Sequence, residues 1–236
     1  MEKLQYESDK YIIYGPDSLS KLIEATSEEL DKKVDEYKKL FGLKEVRKIQ
    51  VNYFDSIEKF RNFVLGLREK DSFLPEYAAG TYDKGMINSY IDKEKQMKNI
   101  YMANHELFHI LYKENVLLND NSKRIVWYDE GMAQFFSNER KNVDQNFESY
   151  FNKVKEDTKI IPNINEIDHG KSFKNENYNG YDLSYFCVRY LNEILDENEF
   201  KSLMNDFNKI KEYGNTIIQD MFDYYDSKLE NNKKLI

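Results

Sequence analysis

Two histidines four residues apart, with a glutamate directly after the first, restrict this chain more than any other feature: His105-Glu106-Leu107-Phe108-His109. For the pair to act together the segment must be helical. At 3.6 residues per turn, positions four apart share one face, where a single metal ion joins both imidazoles. Glu106 then falls about 100° round the helix from His105. A carboxylate there is too far round to be a third ligand in the same plane, but it reaches a water held on the metal, the place a general base needs. The competing reading is a pair of satisfied core histidines. Against it, Met97, Ile100, Tyr101, Phe108 and Leu111 recur at three- and four-residue spacing, so the histidines face the interior. Buried imidazoles need partners, and a metal supplies one.

A second stretch, Trp127-Tyr-Asp-Glu-Gly-Met-Ala-Gln-Phe-Phe136, offers the missing ligand. Asp129 is suited to cap a helix N-terminus, which would place Glu130 in the first turn, and the small Gly131 and Ala133 allow close packing on another helix. Two histidines and one glutamate leave the fourth tetrahedral position open, the mark of a catalytic zinc, whereas a structural zinc takes four protein ligands. His105, His109 and Glu130 are therefore the expected metal ligands and Zn2+ the expected cofactor.

Read together, HELFH and, 21 residues after His109, the glutamate of WYDEGMAQFF resemble the gluzincin zinc metallopeptidases. The similarity is greatest to the aminopeptidase N-type clan and the bacterial peptidase MA-like domains, whose second motif reads W-x-x-E-G-x-A. A further match, from Tyr181 through Ser184 to Tyr190-Leu191, is similar to a helix of that family that opens on tyrosine and ends in an aromatic-leucine pair. The resemblance spans roughly residues 76 to 195. It implies a zincin (thermolysin-like) fold, a glutamate base at Glu106, and an oxyanion-stabilising hydroxyl at Tyr181. His169 is the alternative oxyanion donor, in the part a histidine plays in thermolysin-like enzymes. One departure concerns specificity. Where the family's aminopeptidases carry a Gly-Ala-Met-Glu-Asn-like stretch whose glutamate binds the substrate's amino group, this chain has Gly85-Met86-Ile87-Asn88. The resemblance therefore does not extend to aminopeptidase specificity.

The implied activity is hydrolysis of peptide bonds, with a peptide or protein as substrate. Two other classes compete: a non-catalytic zincin-like module that binds a peptide or partner protein in its cleft, and a zinc hydrolase of a non-peptide bond. The intact Glu106 speaks against the first, because a purely structural site has no use for that carboxylate.

Length and charge fit this reading. At 236 residues and 40% hydrophobic content, one compact catalytic unit of two lobes is expected. A net charge of −8, with lysine and arginine dispersed, excludes nucleic acid and anionic membrane surfaces as obvious partners. The single cysteine, Cys187, cannot form an internal disulfide and reads as a small buried hydrophobe, not a nucleophile. No apolar run of membrane-spanning length and no leader pattern occurs, so a cytoplasmic chain is expected, or a secreted one if a leader has been removed. Oligomeric state is not encoded in any motif.

The expected class is α+β. Residues 1–116 form an N-terminal lobe with a small sheet and helices, ending in the HELFH helix; 117–236 form a helical lobe carrying Glu130; a cleft lies between them. A first strand is predicted at residues 10–14, and a helix from Asp17 or Ser18 to Phe41, with Gly42 as its C-terminal cap. Then follow a half-buried strand at 46–54, a helix opened by Asp55 or Ser56, and a hairpin of 76–82 and 86–92 turning at Asp83-Lys84-Gly85. In zincins such a strand edges the cleft, where it pairs with an extended substrate backbone. Beyond Phe136 the pattern gives helices at 145–157, Tyr181 to Leu195, 197–212 and a last one to Leu229, with a polar loop at 162–178.

Overall fold

The computed structural model describes residues 3–69, 74–76, 78–92, 96–167 and 173–234; of residues 96–100, 144 and 234 it describes the backbone alone. The class is α+β, with a mixed five-stranded sheet. The chain divides into two compact units, Met1–Asn119 with Phe136–Glu139, and Asp120–Phe135 with Arg140–Ile236.

In the first unit the strands are β1 (Lys3–Glu7), β2 (Tyr11–Gly15), β3 (Ile49–Phe54), β4 (Gly80–Asp83) and β5 (Met86–Tyr90), in the spatial order β1-β2-β3-β5-β4. The pairs β2–β3 and β3–β5 are parallel and the two outer pairs antiparallel. The strand expected first is the second. β1 precedes it: Leu4 and Tyr6 alternate with polar residues, but only over five residues, and both are exposed on an outer strand. The hairpin turns where expected: Lys84 (φ 49°) and Gly85 (φ 72°) both adopt the left-handed conformation of a tight hairpin turn.

Two helices cover one face of the sheet, α1 (Ser20–Leu40) and α3 (Gln96–Asn115), and they pack on each other. α1 buries Ile23, Thr26, Leu30, Val34 and Tyr37 and has no side-chain N-cap; a short 3-10 turn, Asp17–Leu19, leads into it. Its end is as read from Gly42: with φ at 65°, the Gly42 N–H donates to the Lys39 carbonyl and the Leu43 N–H to that of Lys38, a Schellman closure. α2 (Ile57–Leu67), capped by Ser56, covers part of the other face through Phe60 and Val64. α3 carries the HELFH segment. Phe108 and Leu111 are buried, while Met97 and Ile100 lie outside the described side chains.

The second unit is helical: α4 (Val126–Phe136, whose last residue belongs to the first unit), α5 (Lys141–Gln145), α6 (Phe147–Asp157), α7 (Gly180–Ile194), α8 (Glu197–Leu203), α9 (Phe207–Gly214) and α10 (Ile217–Lys234). Phe147, Phe151, Phe186 and Tyr225 form its aromatic core, with centroids 4.9 to 6.2 Å apart. The helix predicted over 197–212 is two: Asp206 accepts the Lys209 N–H and starts a new helix after Met204. α10 continues to Lys234, five residues beyond the expected end. Among the described residues no helix is long and apolar enough to cross a membrane.

Candidate metal centre

α3 presents His105, Glu106 and His109, all buried, toward the β4–β5 hairpin. The helix is fixed from behind by aromatic packing: Phe108 meets Tyr37 edge-on at 5.6 Å and lies parallel to Phe136 at 5.9 Å. On the sheet side the Tyr82 ring lies 5.7 Å from that of His109. Gly80, two residues earlier and so on the same face of the strand, comes so near α3 that a methyl group there would sit 3.0 Å from Glu106 Oε1.

The alternation also locates the stretch that departs from the aminopeptidase pattern. Asn88 pairs with Thr81 across β4–β5 and with Asn52 across β3–β5, its Oδ1 accepting from Asn52 Nδ2 at 2.8 Å. Thr81 lies between Gly80 and Tyr82 and faces the opposite way, and Asn88 with it. Gly85–Asn88 therefore belongs to an inner strand and its turn, and Asn88 lies on the sheet face away from α3.

Glu130 comes from α4. The expectation that Asp129 caps this helix is corrected: α4 begins at Val126, so Asp129 already lies in its first turn, buried and bound to Arg124 Nε. A carboxylate in that first turn is favoured by the helix dipole. Arg124 also reaches Glu130, donating from Nη2 to Oε1 over 3.1 Å. Close packing of this helix is as expected. Gly131 abuts α7, where an added methyl would lie 2.4 Å from the Ser184 carbonyl oxygen and 2.6 Å from Val188. α7 starts where predicted, with Asn179 capping the Tyr181 N–H. The Tyr181 carbonyl accepts from Gln134 Nε2 at 2.9 Å, which ties the start of α7 to the helix bearing Glu130. The half-buried Tyr181 ring packs edge-on against Phe173 at 4.5 Å. His169 lies outside the described residues.

His105, His109 and Glu130 each offer a ligand atom, and these atoms all lie within 4.8 Å of one another. The two Nε2 atoms face each other at 3.0 Å. Nitrogens so placed share either a proton or a cation. For bonds of 2.0–2.1 Å, two corners of a tetrahedron are about 3.3 Å apart, so the pair is within a few tenths of an ångström of the spacing that a tetrahedrally bound ion of that size requires. One carboxylate and two neutral imidazoles also suit a borderline-soft divalent cation. These buried residues are close enough to hold a metal ion.

Two charged neighbours of this trio carry no motif in the sequence. Arg124 holds Glu130, and Glu139 Oε2 lies 2.9 Å from His105 Nδ1. The signal for Arg124 is its place five and six residues ahead of the acid pair Asp129-Glu130; Glu139 depends on a turn that spacing does not reveal. Cys187 is fully buried, and burial, with a smaller contribution from Asp220, pushes its thiol pKa far above the ordinary value, so it is a core residue as expected. A scan against protein-family models and a search of curated proteins give no match to this chain.

Proposed function

We propose that this chain is a zinc-dependent metallopeptidase of the gluzincin type on a zincin-like fold, hydrolysing peptide bonds. The observation that carries the reading is the buried trio His105, His109 and Glu130, with Glu106 on the same helix turn as the first histidine. When bound, the metal supplies Lewis-acid polarisation of a carbonyl and a water of lowered pKa.

The remaining work falls to side chains. His105, His109 and Glu130 would hold the metal, with Arg124 on Glu130 Oε1. Arg124 fixes the Glu130 rotamer through a charge-assisted hydrogen bond, which lowers the reorganisation needed on binding. Glu106 is the general base: its carboxylate takes the proton of the attacking water and delivers it to the leaving amine nitrogen. Its burial, at 6% exposed, limits competing solvent and strengthens the electrostatics of the transfer. Tyr181 is the candidate oxyanion donor, offering a neutral hydroxyl where negative charge develops on the carbonyl oxygen. β4, the last strand of the sheet on the α3 side among the described residues, is the candidate substrate-aligning edge.

The test is incubation of the zinc-loaded protein with a mixed peptide library and mass-spectrometric detection of new termini. Cleavage that stops on chelation and returns with zinc supports the reading. Bound zinc with no cleavage of any peptide would overturn it in favour of a peptide-binding module or a hydrolase of another bond.

A further inference from the structure

We propose that Glu139 is a positioning residue for the metal centre, holding the His105 imidazole in the tautomer that leaves its Nε2 lone pair facing His109 Nε2. The inference rests on the metal reading of His105, His109 and Glu130. It starts from a requirement of imidazole chemistry: one ring nitrogen of a metal-binding histidine must be bare, and what the other nitrogen meets decides which. His105 Nδ1 is buried away from water, so its partner has to come from the protein. The Glu139 carboxylate is 2.9 Å away, on a side chain only 14% exposed. A carboxylate at that distance favours the ring proton on Nδ1.

The chain goes to some length to bring this carboxylate here. After α4 the backbone turns through Asn138, at φ 65°, a conformation asparagine tolerates better than most residues. Ser137 Oγ accepts the Glu139 N–H at 3.2 Å and closes the turn. The turn is pinned to the first unit at three points. Lys33 Nζ donates to the Phe136 carbonyl at 2.5 Å, Asn104 Nδ2 donates to the Ser137 carbonyl at 3.5 Å, and the Phe136 ring stacks on Phe108. Asn104 immediately precedes His105, and Phe108 immediately precedes His109. The residues flanking both ligands thus hold the segment that carries Glu139. Arg140, next in the chain, directs its guanidinium to Asp182 and Gln134 instead. A carboxylate on Nδ1–H raises the electron density at Nε2 and so strengthens the donor.

The experiment compares wild type, Glu139→Gln and Glu139→Ala by nitrogen-15 NMR of the histidine rings in zinc-stripped protein, and by zinc affinity in competition with a chelator. The expected result is a His105 ring protonated at Nδ1 in wild type and shifted toward Nε2 protonation in Glu139→Ala, with His109, which shares the proton between the two Nε2 atoms, shifting the opposite way. Zinc affinity should fall 10- to 100-fold in Glu139→Ala and less in Glu139→Gln, which keeps an acceptor oxygen of the same shape. Should the alanine variant fail to fold, the glutamine variant and its ring shifts decide. A His105 tautomer that ignores Glu139, or equal zinc affinity in all three proteins, would overturn the positioning role. Wild type without zinc affinity would instead overturn the metal reading, and the ring shifts would still report whether Glu139 sets His105.

Discussion

At residue 80 a single hydrogen atom separates the hairpin from the proposed base. A methyl group there would lie 2.7 Å from Met102 Cγ and Sδ and 3.0 Å from Glu106 Oε1. Met102 is flexible and yields cheaply, but Glu106 can yield only by leaving the place where it takes a proton. Gly80→Ala is therefore expected to lower kcat on a peptide substrate by on the order of 10- to 100-fold with zinc content unchanged. Steady-state kinetics beside elemental analysis checks this, and undiminished turnover would mean that the hairpin does not set the base. Cys187 makes the opposite case. With its thiol buried and its pKa raised by that burial, it should resist iodoacetamide at neutral pH until denaturant is added, and Cys187→Ala should keep activity. Mass spectrometry of the alkylated protein gives the answer; rapid labelling of the native form would contradict the packing.

Helices α4 and α7 meet at Gly131, where the Ser184 carbonyl and Val188 leave no room for a side chain. Gly131→Ala should cost about 1–3 kcal/mol of stability through overpacking, although alanine is the better helix former. Because Glu130 is the neighbouring residue, the variant should also bind zinc more weakly. Urea unfolding and chelator competition read the two effects; a more stable variant would show that the helices are free to separate. This contact was legible in the sequence, since Gly131 and Ala133 are small residues inside an apolar helix. The Gly42 cap and the Gly85 turn were legible because each needs a positive φ that glycine adopts without strain, and the Ser56 cap because few side chains accept a helix N–H. What failed were features set by packing. β1 has an exposed, mostly polar strand pattern. Asp129 has the chemistry of a cap but is drawn into a salt bridge with Arg124, and the helix starts at Val126, four residues earlier than that cap would set. Met204 to Asp206 interrupts what hydrophobic spacing alone reads as one helix.

On the scale of the whole molecule, the three residues close enough to hold a metal ion were legible because HExxH and a later acid-glycine pair are local patterns. Their supports were not. Arg124 and Glu139 act through distances that only the folded chain creates, 3.1 Å to Glu130 and 2.9 Å to His105. A metal that binds the native state and not the unfolded chain raises stability by linkage, about 2.7 kcal/mol at a free concentration one hundred times Kd. Zinc should accordingly raise Tm by several degrees, and a chelator should reverse the shift. His105→Ala and Glu130→Ala should each abolish most of the zinc-dependent increment. Differential scanning calorimetry of the three proteins, with and without zinc, tests this; an equal zinc-dependent rise in the variants would show that the metal sits elsewhere.

The central claim, a hydrolytic zinc site with Glu106 as its base, is tested most directly by Glu106→Gln. The amide keeps the size and packing of the side chain but cannot accept the proton of the attacking water. The account predicts full zinc content, an unchanged circular dichroism spectrum, and peptide hydrolysis lowered by at least on the order of 10²- to 10⁴-fold. Undiminished turnover in that variant would contradict the mechanism, and loss of zinc would make Glu106 a ligand.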